Sequence, residues 1–135
     1  VIEFVARSLD ALLQLMSPTL RPMLILLDHS APAPLRHSLT GHLVTLVFDR
    51  GWDKLSNGEL LAAAEAAGFE VFITADKNIR YQQNLTGRRI AIIELGTPRW
   101  PVVRQFVERV VAAVDASTRG SYTVVEIPLP PRRKQ

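Results

Sequence analysis

Residues 23–28 read Met-Leu-Ile-Leu-Leu-Asp, and residues 69–76 read Phe-Glu-Val-Phe-Ile-Thr-Ala-Asp. Each is a short apolar run that stops at or near an aspartate. A continuous run of this kind reads as a strand buried on both faces, which is the habit of a parallel sheet. Working outward, strand and helix patterns alternate. After Asp28 comes a short helix, with Pro32 and Pro34 in its first turn, Leu35 and Leu39 on its apolar side, and Gly41 as its stop. Leu43 to Phe48 reads as a second strand and Asp49-Arg50-Gly51 as the turn after it. Ser56-Asn57-Gly58-Glu59 opens an Ala- and Leu-rich helix that runs to Ala67 and closes at Gly68.

Beyond Asp76 the pattern predicts a polar helix from Lys77 to Asn84 and a strand from Arg89 to Leu95. A helix follows from Pro101, striped by Val103, Phe106, Val107, Val110, Val111 and Val114. Tyr122 to Ile127 reads as a last, edge strand, which Pro128, Pro130 and Pro131 terminate. Strands alternating with helices predict an α/β fold of three layers, a mostly parallel sheet with helices on both faces. Ahead of it, Ile2, Val5, Leu9, Leu12 and Met16 recur at helical spacing until Ser17-Pro18. Met23 therefore reads as the start of the domain. The chain divides into an amphipathic extension (1–22), the α/β body (23–127) and a Pro-rich basic tail (128–135).

The 135 residues suit one domain, and with no cysteine there is neither a disulfide framework nor a thiolate metal site. No apolar run approaches the roughly 18 residues of a membrane span, so a cytoplasmic protein is expected. The net charge of +3 is unevenly placed. Lys77, Arg80, Arg88, Arg89 and Arg99 fall in one stretch, and Arg132, Arg133 and Lys134 in the tail. Such clusters give phosphate backbones non-specific affinity, or are simply a solvated surface.

Parallel sheets bind ligands outside the carboxyl ends of their strands. That places Asp28 and Asp76 on one rim, where two carboxylates can share a magnesium ion that keeps several waters. Each also precedes a predicted helix and could serve as its N-cap. Glu59, three residues after Ser56, fits a capping box. Asp49 is most simply a turn residue, and His29, His37 and His42 lack metal-like spacing. No nucleophile elbow, Walker loop or glycine-rich dinucleotide loop is present.

Five segments in order carry a resemblance: Leu-Leu-Asp28, Gly41-His42, Asn57-Gly58-Glu59-Leu-Leu, Ile73-Thr74-Ala75-Asp76-Lys77-Asn78 and Tyr81-Gln82-Gln83-Asn84. From Met23 to Ile127 the chain resembles a bacterial family of small PIN-like domains, relatives of the PIN-domain ribonucleases that include VapC toxins. The resemblance implies a Rossmann-like three-layer fold with an acidic cleft that holds Mg2+ or Mn2+ and cuts single-stranded RNA. On it, Asp28, Glu59 and Asp76 are the catalytic and metal-binding acids. Many relatives carry a further acid just past the Thr-x-Asp motif. This chain has Asn78 there and an amide again at Asn84, so three carboxylates remain, enough for one cation. Lys77, Arg80 and Arg88 would meet phosphates. Tyr81 offers a stacking surface beside the amides of Asn78, Gln82, Gln83 and Asn84, which otherwise form a bare polar face. The expected partners are single-stranded RNA, an antitoxin protein if the domain is the toxin of a toxin–antitoxin pair, and a second copy of the chain. The alternatives are a non-catalytic RNA- or nucleotide-binding module, or a protein-interaction domain docking through residues 2–16.

Overall fold

The structure, a computed structural model, describes residues 21–82 and 84–130. The expectations for the helix at 2–16, the basic tail, Gln83 and the side chain of Gln82 fall outside the described residues. Strands β1 (Leu24–Leu27), β2 (Leu43–Leu46), β3 (Val71–Thr74), β4 (Ala91–Leu95) and β5 (Tyr122–Val125) form one sheet in the order β2-β1-β3-β4-β5. Every neighbouring pair is parallel. Helix α1 (Asn57–Ala66) joins β2 to β3, and α2 (Ile79–Gln82) joins β3 to β4. Helices α3 (Trp100–Val103) and α4 (Val107–Ala116), linked through a 3-10 turn at Arg104–Phe106, join β4 to β5. The α/β architecture with a parallel sheet and helices on both faces is as the alternating pattern predicts, and its outline is Rossmann-like.

The residues of the central strands β1, β3 and β4 are buried on both faces, as continuous apolar runs require, whereas the edge strands β2 and β5 are partly open. On one face Ile25, Leu27, Val71, Ile73, Ile93 and Leu95 meet Leu35, Leu39, Val103, Val110 and Val114. On the other, Leu26, Phe72 and Ile92 meet Leu60, Leu61 and Ala64 of α1 and Ile79 of α2. No helix among the described residues is long and apolar enough to cross a membrane.

Three elements differ from the sequence pattern. The first helix is a 3-10 turn, Ala33–His37. Strand β2 stops at Leu46, and Phe48–Arg50 form another 3-10 turn that Gly51 closes at φ 70°. The predicted polar helix shrinks to α2, because Asp76-Lys77-Asn78 is spent on a turn in which Asp76 Oδ1 accepts the Asn78 N–H at 2.9 Å.

The connections are not all of one hand. The β1–β2 connection lies on the face of Leu35 and moves toward the β2 edge. Those through α1 and α2 lie on the opposite face and move the other way, so all three share a hand. The β4–β5 connection moves as α1 and α2 do, yet packs on the Leu35 face. Its hand is therefore opposite, against the strong rule for parallel crossovers. No described helix lies over β5 on the α1–α2 face, and Val124 there is 41% exposed. Phe72 is fully buried at the sheet centre, so Phe72→Ala should lower unfolding stability by about 3–5 kcal/mol. Leu43→Ser, at an edge position 63% exposed, should stay within about 0.5 kcal/mol in the same urea titration.

Candidate functional site

Both aspartates lie at the carboxyl ends of adjacent strands, where the strand order reverses between β1 and β3. The register pairs Leu27 with Ile73 and Thr74 with Glu94. Continued by one residue, it sets Asp28, Thr74 and Glu94 side by side across three strands. All three are buried, at 4%, 0% and 2% exposure. Because side chains alternate along strands, this polar row caps the face formed by Leu26, Phe72 and Ile92.

The row is cross-linked by hydroxyls. Thr74 Oγ1 donates to Asp28 Oδ2 at 2.9 Å and accepts the Asp76 N–H at 3.0 Å. Ser30 Oγ donates to the same Asp28 oxygen at 2.6 Å and accepts the Ala75 N–H at 2.9 Å. Asp28 Oδ1 is buried without a hydrogen bond. The exposed His29 brings Nδ1 to 3.2 Å from it but is not aligned to donate. A buried carboxylate oxygen left bare is costly, and a cation satisfies it directly.

The capping alternative separates the two aspartates. Pro32 occupies the N-cap of the turn after β1 without any side-chain cap, so Asp28 caps nothing there. Asp76 does fix a turn, with Oδ1 taken by the Asn78 N–H; its Oδ2 accepts from Asn57 Nδ2 at 3.3 Å. Glu59 faces Ser56, which donates to its Oε1 at 2.8 Å and accepts its N–H at 3.3 Å. That is the capping geometry its spacing suggests. Among the described residues, no three His, Asp or Glu side chains gather as a metal ligand set. Two carboxylates and water remain a sufficient set for magnesium.

The other predicted residues spread along the rim. Lys77 and Asn78 are exposed, and Tyr81 is 75% exposed with the Arg80 guanidinium 5.0 Å from its ring centre. Asn84 Oδ1 accepts the Thr86 N–H at 3.0 Å and so holds a turn. Arg88 turns toward α1, with a 3.5 Å bond to the Gly58 carbonyl and Glu65 at 4.0 Å. Residues absent from the sequence reading complete the row. Glu94 Oε1 accepts from Tyr122 Oη at 2.7 Å and lies 3.8 Å from Arg80 Nε. The acid breaking the run Ala-Ile-Ile-Glu-Leu was the one available signal.

The chain matches no family model, no curated protein and no solved structure.

Thr74→Val keeps the side-chain shape but removes the donor to Asp28 and the acceptor for Asp76. It should cost about 1–3 kcal/mol by chemical denaturation, whereas Thr74→Ser should recover most of it. Burial, then the hydrogen bond to Glu94 and its negative charge, push the Tyr122 phenol well above the ordinary tyrosine value, with Arg80 pulling it back. The folded state thus holds that proton where the unfolded chain loses it. The contribution to stability is complete below about pH 10 and is lost as the pH climbs above it. Wild-type stability should fall over that alkaline range, and Tyr122→Phe should flatten the fall.

Proposed function

We propose that this chain is a PIN-like, divalent-metal-dependent ribonuclease domain that acts on single-stranded RNA. The observation that supports it best is the buried Asp28, whose Oδ1 lacks a hydrogen bond while Ser30 and Thr74 hold its other oxygen in place. A carboxylate oriented this firmly, with one buried oxygen left without a hydrogen bond, suits a hard cation. Asp28 and Asp76 would hold Mg2+ or Mn2+, which when bound supplies charge stabilisation and an activated water. The exposed Lys77 and Arg80 would meet phosphates, and Tyr81 a base. Glu59 enters this reading as the cap of α1, because Ser56 already engages its carboxylate. Action as the toxin of a toxin–antitoxin pair, countered by a protein antitoxin, belongs to the same proposal.

A second reading, an RNA-binding module that does not cut, draws on the lack of a third convergent acid among the described residues. Cleavage assays separate the two. Wild type should cut single-stranded RNA with Mg2+ or Mn2+ and not in EDTA. Asp28→Asn and Asp76→Asn should each lose about 100-fold or more in rate, since an amide keeps the shape but removes the charge that holds the cation. Glu59→Gln should stay within about threefold, a small barrier change. RNA bound but left intact by wild type, across varied RNAs and both metals, would overturn the enzyme and leave the binding module.

A further inference from the structure

Beside the aspartate pair, the face of β5 that no described helix covers opens into a groove of about 460 Å³. Its inner wall is Glu94, its apolar sides include Val124 and Leu129, and its mouth carries Lys77 and Arg80. Glu94 is 2% exposed. Tyr122 and Arg80 both engage Oε1, and no described residue bonds Oε2. Unlike Asp28 Oδ1, Oε2 is not sealed away from solvent, so it is left facing the groove as an acceptor for a ligand's donors. The groove is therefore ordered by charge: the Glu94 carboxylate inside, apolar walls around it, and at the exposed end Lys77 and Arg80, which outweigh the single exposed carboxylate of Glu126.

A ligand complementary to that order has donors on a flat apolar body and a negative charge at the other end. We propose that the groove is a base-reading subsite for guanine nucleotides. Glu94 accepts the N1–H and N2–H of the guanine Watson–Crick edge, Val124 and Leu129 pack against the ring, and Lys77 and Arg80 take the phosphate. Guanine presents two adjacent donors on that edge. Adenine and cytosine each offer one amino group there, and uracil a single imino N–H, so a carboxylate discriminates among them. An arginine side chain of a protein partner would also suit Glu94, but it would have to pass Lys77 and Arg80 at the mouth. The inference deepens the RNA reading above but does not depend on the metal or on cleavage.

The test is titration of the full-length chain with GMP, AMP, CMP and UMP in EDTA, followed by NMR shifts of the Gly96 and Val124 amides. GMP should bind about tenfold or more tighter than the others, the scale of a bidentate base contact. Glu94→Gln should erase that preference. Should Glu94→Gln fold poorly, Val124→Trp, a substitution at an exposed wall position, should fill the groove and abolish the GMP shifts at an unchanged melting temperature. Equal binding of all four nucleotides would overturn the proposal. So would GMP binding that survives Val124→Trp, or a groove that takes N-acetylarginine amide in place of GMP. Because no cation is present, a GMP preference in wild type that cuts no RNA would sink the ribonuclease alone.

Discussion

The hydroxyl of Thr74 joins what the rest of the rim depends on. It donates into the β1 aspartate and receives the backbone N–H of the β3 aspartate, so one buried atom fixes both acids. An isolated carboxylate at a strand end would choose its own rotamer and draw water around it. Here Ser30 and Thr74 take one oxygen of Asp28, and the sheet register fixes where that residue stands. The stability of the central strands and the placement of the acids are therefore one construction. Leu26, Phe72 and Ile92 hold the sheet from below, and the polar row closes it at the top. A hydroxyl suits the joint because it donates and accepts at once; an amide or a carboxylate would need a wider gap.

The second constraint is topological. With α3 and α4 on the Leu35 face, the α1–α2 face of β5 has no described helix over it. That leaves Tyr122 half-buried rather than core, and Val124 open. Glu94 sits one strand inward, close enough to that opening to line it. Had the last crossover kept the hand of the others, helices would cover this edge and a glutamate in β4 would need a full set of partners from the protein. Arg80 compensates it only in part. It sits at the border, spread between the Glu94 carboxylate and the face of Tyr81.

The fold was legible because it follows from periodicity. Short apolar runs, Gly68 closing α1 at φ 89° and the Ser56 cap are local signals, and each corresponds to an element of the structure. What lay beyond reach was any feature set by neighbours distant in sequence. Whether Asp28 was a cap or a rim carboxylate depended on Thr74, 46 positions away. The polar helix after Asp76 was overestimated because its first residues looked helical, while the aspartate's turn with Asn78 had already claimed them. Glu94 went unread because one acid inside an apolar strand carries no periodic signature. Its meaning arises only when Tyr122, on a strand 28 positions later, brings a phenol to it.

The separation of the two candidate regions bears on how they would act together. Asp28 and Glu94 flank Thr74 on the same sheet face, and two strand spacings put their backbones about 10 Å apart. That is the reach of a single nucleotide unit rather than of a long RNA segment. A base held at Glu94 would bring its neighbouring phosphate toward Asp28 and Asp76. On the proposed reading, charge would enforce the division. The row's carboxylates repel a phosphate that arrives without a cation, whereas the entrance cations attract it wherever it lands. Base recognition would then proceed without metal, while approach of the backbone to the aspartates would require one.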